Sequence, residues 1–402
     1  MVQRIHLVAA ARPNFMKVAP LWHALQAAPD FTPVLIHTGQ LYDVYMSYDF
    51  FSDLKLPEPD FHLGVGSGSH AGQTGGVMIE YEKIALNDRP DWLIVVGDVN
   101  STAACTIVAA KCCFPVVHLE AGLRSRDRTM PEEVNRLVTD VLADVLWTPS
   151  PDADENLTAE GVAPARVTRV GNIMLDSFEL VRPAIEAADL PSELGLTRGG
   201  YGVVTLHRPS NVDDPAQLIR LVDALIEVQR DLALVFPVHP RTAVQLKRNG
   251  LDTRLLRAGV KLIDPMPYVR FMSLVTGAAA AITDSGGLQE ETTYLGIPCL
   301  TLRENTERPI TVTEGTNRLV TPETLLIELT RAISTPRAVR PRPEYWDGDT
   351  AARCIADLRR RSGPALLPAA KQSPAELTAE LARRYRAEER RVSGLASYRR
   401  SS

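Results

Sequence analysis

Short, continuously apolar runs alternate along the chain with longer stretches whose apolar residues recur at helical spacing. In the first half the apolar runs fall at residues 5–9, 33–37, 92–96, 115–119, 145–148 and 167–170, with helical patterns at 15–26, 71–86, 101–111 and 132–142 among them. In the second half they fall at 202–206, 233–238, 260–263, 279–283 and 298–302, separated by helical patterns at 215–229, 272–278, 288–295 and 322–334. Runs without polar alternation read as strands covered on both faces, and strands alternating with helices build parallel sheets. The pattern predicts an α/β protein of two Rossmann-like, doubly wound domains. The first is expected over residues 1–171 and the second over 172–362, with the last helix, about 348–361, packing back on the first domain. Residues 363–402 differ: Ser373-Pro374-Ala375-Glu376 is a capping box with proline at the first helical position, so the expectation is a basic tail, helical to about residue 391 or partly unstructured.

In such sheets ligands bind beyond the carboxyl ends of the strands. The polar clusters of this chain fall there. ARPNFMK, GDVNST and HLEAGLRSRDRTMPEEVNR follow strands of the first half; HRPSN, HPRT, DPMPY, DSGGLQEE and RENTERP follow strands of the second. The expectation is therefore two domains facing a cleft that these clusters line. Residues 118–136 alone hold four carboxylates and four arginines, too charged to form a core.

Composition narrows the function. The chain has 402 residues, 45% hydrophobic and 23% charged, with a net charge of −5, so it carries no basic footprint for nucleic acid. No apolar run reaches the length of a membrane span, and the N-terminus reads as a first strand, not a signal peptide. Five cysteines without a CxxC pair argue against a disulfide framework and for a cytoplasmic protein. There is no GxGxxG, no Walker A sequence and no zinc-ligand spacing. The closest glycine run, GVGSGS at 64–69, lacks the third glycine and is not expected between a strand and a helix. A nicotinamide redox step has no support; a nucleoside diphosphate does.

In DSGGLQEE, Ser285, Gly286 and Gly287 turn a strand into a helix whose free N–H groups attract phosphate, and Glu291 one turn on can accept from a ribose diol. The other reading is a tight turn that needs glycine for its own conformation. Arg12, Lys17 and Arg308 are cations at strand ends, suited to a diphosphate. Asp98 and Glu120 follow neighbouring strands, whose ends lie about 5 Å apart if they pair, and two close acids split their acidities into an acid and a base. Asp98 also stands where a helix cap would, and Glu132 in a first turn where it would complement the helix dipole. His207 ends the first strand of the second domain.

Taken together and in order, ARPNFMKVAPL, GDVNST, HLEAGLRS with MPEEVNR, VGNIMLDS, TLHRPSN, PVHPRT and TDSGGLQEE with LGIPCLTLRENTERP closely resemble the non-hydrolysing UDP-N-acetylglucosamine 2-epimerases over about residues 3–360. The resemblance implies a glycosyltransferase-B type fold, a homodimer, and interconversion of UDP-N-acetylglucosamine and UDP-N-acetylmannosamine without an added cofactor, feeding cell-surface polysaccharide or glycoconjugate synthesis. It implies elimination of UDP from C1 with loss of the C2 proton, then re-addition after protonation on the other face. By motif position it puts Asp98, Glu120 and Glu132 in the acid–base set and His207 beside the leaving diphosphate. It assigns Arg12, Lys17, Met266, Phe271, Ser285, Gly286, Gly287, Glu291 and Arg308 to UDP, with Phe271 near uracil and Met266 where some relatives carry glutamine. Gln40, Arg208 and His239 match a second-substrate site or its support. The chain departs from the pattern at Ser210, where many relatives have glutamate, and at Gln40-Leu41-Tyr42-Asp43, where some carry a QHRQ-like segment. Two other readings remain: the same reaction on a modified sugar such as a 2,3-diacetamido uronic acid, and a glycosyltransferase on the same fold.

Overall fold

In the computed structural model, which describes residues 2–10, 12–39, 54–334 and 342–362, the apolar runs become thirteen strands in two sheets. The first half supplies β1 (Gln3–Ala9), β2 (Phe31–His37), β3 (Phe61–His62), β4 (Trp92–Val96), β5 (Val116–Leu119), β6 (Val145–Thr148) and β7 (Val167–Arg169), ordered β3-β2-β1-β4-β5-β6-β7. The second supplies β8 (Tyr201–Thr205), β9 (Ala233–Pro237), β10 (Lys261–Ile263), β11 (Ala280–Thr283), β12 (Cys299–Thr301) and β13 (Asn317–Leu319), ordered β10-β9-β8-β11-β12-β13. Neighbouring strands in both sheets pair in parallel, as in β4 with β5 and β8 with β11. Each order runs outward from the first strand in both directions, so each sheet has a switch point, between β1 and β4 and between β8 and β11, where a crevice opens at the strand ends.

Burial explains the continuous runs. β4 is buried at all five positions, because helices cover both faces of the sheet. In the first unit Leu93, Val95 and Val116 from the strands pack with Tyr81 and Val108 from the helices. In the second, Val204, Phe236, Ile282 and Leu300 pack with Leu221, Leu225 and Leu329. The compact units are residues up to Val170 together with those from Ala351, and Gly171–Thr350. The helix Thr350–Arg361 returns the chain to the first unit. Its Asp357 accepts from Trp147 Nε1 (2.8 Å) and Arg361 Nε (2.7 Å), and its Arg359 pairs with Asp30 (2.7 Å). Among the described residues no helix is long and apolar enough to cross a membrane.

Local differences from the sequence pattern have local causes. β3 and β13 have two and three residues, too short to show a period. β3 also corrects the reading of GVGSGS, which does stand between a strand and a helix: Ser69 caps the helix His70–Asn87 through Gly72 N (3.1 Å). The helix expected from 272 begins at Tyr268, and that expected at 322–334 is Leu325–Ile333. Helices Pro240–Arg248 and Leu251–Arg257 escaped the pattern because each buries only two residues. The helix expected beyond 373 and Gln40 lie outside the described residues.

Candidate active site

In the first unit the site is built at the ends of β4 and β5. β4 passes into Gly97 at φ +68°, a left-handed backbone that favours glycine, and a Cβ there would lie 3.3 Å from Lys17 Nζ and 3.6 Å from the Glu120 carboxylate. β5 passes into Glu120, which itself holds φ +71°. A non-glycine residue there costs on the order of 1 kcal/mol or more, a strain that persists only where the surroundings over-determine it. The Glu120 carboxylate is 6% exposed and ion-pairs with Lys17 of the helix Arg12–Ala27. Two residues on, Gly122 holds φ +81°, and a Cβ would sit 2.5 Å from Ala153 O, so only glycine fits.

Asp98 follows Gly97. It is not the cap of the next helix, since Val99 takes that position. Its carboxylate accepts from Arg136 Nη2 (2.6 Å) and its carbonyl from Asn135 Nδ2 (2.9 Å), both from the helix Pro131–Leu142. The expectation of two acids perturbing one another is therefore modified: Asp98 and Glu120 end adjacent paired strands, yet each has its own cation, Arg136 and Lys17. Lys17, assigned to the diphosphate, is here the counter-ion of Glu120. Glu132 is exposed in the first turn of its helix. Glu133 beside it is buried and structural. It accepts from Ser125 N (2.8 Å), Ser125 Oγ (2.9 Å), Arg126 N (3.0 Å) and Arg136 Nη1 (2.9 Å). Burial pushes its carboxyl up, and these donors outweigh that and hold it below the usual range. The backbone of Arg12 opens its helix; its side chain lies outside the described residues.

In the second unit β8 and β11 pair in register, which sets His207 beside Asp284. His207 Nδ1 is 2.8 Å from Asp284 Oδ1, leaving Nε2 of the ring for chemistry. Asp284 is fully buried and also accepts from His207 N (3.0 Å), Arg208 N (2.9 Å) and Asn211 Nδ2 (3.1 Å). Burial pushes its carboxyl up, but the bonds from His207 and Arg208 prevail and keep it ionised. This orienting carboxylate was not among the residues expected from the sequence. Its signal was present: an acid closing one strand while a histidine closes another.

A cavity of about 270 Å³ opens here, with His207, Met266, Phe271, Ser285, Gly287 and Glu291 in its wall. Gly286 and Gly287 open the helix Gly286–Leu295, and neither is among the glycines of positive φ. A Cβ on Gly287 would meet no protein atom within 4 Å. The turn does not need glycine for its own conformation; the missing side chains leave room for a ligand at the helix start. Glu291, 6% exposed, accepts from Tyr268 Oη (2.7 Å), a partner not foreseen from the sequence. Burial raises its carboxyl to about 7 despite that bond, and Glu290 adds to the rise. Arg308 Nε donates to buried Glu290 (2.7 Å), and Thr306 Oγ1 donates to Gln289 (2.6 Å), so the RENTERP loop is tied to this helix. Glu307 feels burial, which raises it, but Arg303 brings it down to about 2.

Of the three residues assigned to a second site or its support, the two among the described residues, His239 and Arg208, part company. His239 lines the cavity just described, its ring 5.6 Å from that of His207. Burial, then the positive charge of His207, lowers the His239 ring from the ordinary histidine value. Arg208 instead lines a separate cavity of about 570 Å³ with Ser210, Arg220 and Arg303.

The chain is similar to known proteins over most of its length. The family model described as UDP-N-acetylglucosamine 2-epimerase matches residues 23–359. The UDP-N-acetylglucosamine 2-epimerase of Methanocaldococcus jannaschii is 38% identical over 330 residues, 79% of this chain and 88% of the relative. The UDP-2,3-diacetamido-2,3-dideoxy-D-glucuronate 2-epimerase of Pseudomonas aeruginosa is 36% identical over 358 residues, 88% of this chain and 98% of the relative. A crystal structure of the M. jannaschii UDP-GlcNAc 2-epimerase in complex with UDP-GlcNAc and UDP superposes with a TM-score of 0.77 at 36% identity, covering 89% of this chain and 99% of the other. With most of its length matched by the family and its two parallel sheets shared with a solved member, the chain belongs to the UDP-N-acetylglucosamine 2-epimerase family.

Proposed function

We propose that the protein interconverts UDP-N-acetylglucosamine and UDP-N-acetylmannosamine without net hydrolysis. The observation that carries this reading is the pair of carboxylates, Asp98 and Glu120, at the ends of adjoining strands, each held by its own cation. A glycosyltransferase of similar architecture has no use for such a set; an enzyme that removes and returns a carbon-bound proton does. The uridine diphosphate takes the cavity of the second unit. Its ribose diol donates to Glu291, its uracil stands near Phe271 and Met266, and its phosphates meet Ser285, Gly286 and Gly287 with Arg12, Lys17 and Arg308. One carboxylate of the set Asp98, Glu120 and Glu132 takes the C2 proton as the C1–O bond breaks and UDP leaves with the electron pair. His207, oriented by Asp284, donates to the departing diphosphate. The enzyme then holds 2-acetamidoglucal and UDP. A proton delivered to the other face of C2, with return of the UDP oxygen to C1, gives the epimer.

The test is incubation with UDP-N-acetylglucosamine alone in deuterated water, followed by the anomeric protons in NMR. The expected result is a second UDP-sugar with deuterium at C2. No turnover without an acceptor, or turnover without deuterium, overturns the reading. A panel including the 2,3-diacetamido uronate sugar named for the P. aeruginosa relative fixes the substituents. We further propose a homodimer, supported by the exposed Val134 and Val141 on the helix Pro131–Leu142 and checked by light scattering, and a cytoplasmic location, supported by five unpaired cysteines.

A further inference from the structure

His118 in β5 is fully buried and stands between two acceptors. Its Nδ1 is 2.6 Å from Asp140 Oδ1 and its Nε2 is 2.8 Å from the carbonyl oxygen of Gly97. The second oxygen of Asp140 accepts from Gly122 N (3.1 Å) and pairs with Arg124 Nη1 (2.8 Å). Three N–H donors converge on one carboxylate. Burial alone would raise that carboxyl, and the charges of His118 and Arg124 outweigh it and hold it below the usual range. His118 thus bridges a fixed carboxylate on one side and the Gly97 carbonyl on the other.

We infer that His118, bridging the Asp140 carboxylate and the Gly97 carbonyl, positions the Gly97–Asp98 turn for the proton transfer, an assignment that rests on the acid–base role proposed for Asp98. The bridge is held from behind: Arg124, which pairs with Asp140, also pairs with Glu160 (2.7 Å), and Arg166 donates to the backbone carbonyl of Asp140 (2.9 Å). The function follows from which peptide the ring holds. Gly97 N donates to Leu119 O (3.0 Å), and the Gly97 carbonyl accepts from His118, so both peptides flanking Gly97 are pinned to β5 or to its side chain. The next residue is Asp98, whose carbonyl and carboxylate are taken by Asn135 and Arg136. His118 thus acts through the backbone and does not touch substrate; it is a positioning residue.

The test is steady-state kinetics and UDP binding with the full-length protein. For the positioning role, Asp140→Asn is expected to lower kcat at least about tenfold while the KM for UDP-N-acetylglucosamine and the Kd for UDP stay within about twofold. His118→Gln keeps one N–H donor and is expected to retain more kcat than His118→Ala. A folded Asp140→Asn protein with unchanged kcat overturns the positioning role. Should Asp140→Asn not fold, the order of His118→Gln and His118→Ala decides it, equal rates overturning it. Absence of turnover by the wild-type protein counts against the proposed reaction, whereas a wild-type rate in Asp140→Asn counts against the positioning role alone.

Discussion

Glu291 is the residue whose replacement separates binding from stability. Burial lifts its carboxyl from 4.5 to about 7, so the folded protein prefers it protonated. The sign follows from proton uptake. Between pH 4.5 and about 7 the folded state holds more protons than the unfolded state, so stability falls as pH rises through that window. Relative to a neutral isostere, the cost of ionisation is absent below the lower value and complete above the upper one. At about 1.4 kcal/mol for each pH unit between those two values, it reaches roughly 3 kcal/mol above neutrality. Glu291→Gln keeps an oxygen to accept from Tyr268 and removes the charge. Its melting temperature should match wild type near pH 4.5 and exceed it by several degrees at pH 8, at roughly 2–4 °C per kcal/mol for a unit of this size. UDP binding should move the other way. If the ionised carboxylate holds the ribose, wild-type affinity weakens about tenfold between pH 8 and pH 6, whereas Glu291→Gln binds weakly and shows only the pH dependence of UDP itself. Scanning fluorimetry and isothermal titration across that range measure both. A melting-temperature difference independent of pH refutes the buried-charge argument, and equal UDP affinities at pH 8 refute the ribose contact.

Other substitutions test the remaining parts. Gly287→Ala meets no protein atom and no positive φ, so its melting temperature should equal wild type, while UDP affinity falls at least about tenfold; unchanged UDP binding would show that the space serves no ligand. Asp284→Asn puts an amide against donors from His207, Arg208 and Asn211, and should cost about 1–3 kcal/mol of stability in chemical denaturation and at least about 100-fold in kcat; near-wild-type turnover removes His207 from the mechanism. Lys17→Met leaves Glu120 nearly buried without its cation, so steady-state kinetics should show kcat falling together with a rise in KM; a pure KM effect would restrict Lys17 to the diphosphate. Gly122→Ala forces a Cβ to 2.5 Å from Ala153 O in a left-handed backbone, and thermal melts should show a loss of about 2 kcal/mol or more.

What the sequence exposed and what it hid follow one physical line. Strands buried on both faces are continuous apolar runs, so β4, β5, β8 and β11 were legible, and the polar residues at their ends marked Asp98, Glu120 and His207. Partnerships across strands were not. Asp284 stands 77 residues from His207, and only the register of β8 against β11 joins them. His118 and Asp140 each read as an ordinary polar residue until the helix Pro131–Leu142 is laid against β5. Lys17 reads as a phosphate cation because its 103-residue separation from Glu120 conceals the ion pair. The role of the glycines in DSGGLQEE turned on a backbone angle, which no residue pattern reports.

The return of the helix Thr350–Arg361 to the first unit has a consequence for synthesis. The ribosome completes β1 through β7 long before it makes this helix, and the whole of the second unit is translated in between. Until then Trp147 Nε1 lacks its acceptor Asp357, Thr168 lacks the same carboxylate (3.2 Å), and the Val170 carbonyl lacks Arg353 (2.9 Å). A nascent chain arrested before residue 350 therefore carries a first unit in which these groups lack their partners, Trp147 Nε1 being the one whose bond is fully buried in the finished protein. The first unit, which carries the proposed acid–base set Asp98, Glu120 and Glu132, is thus completed only after the second unit has been translated.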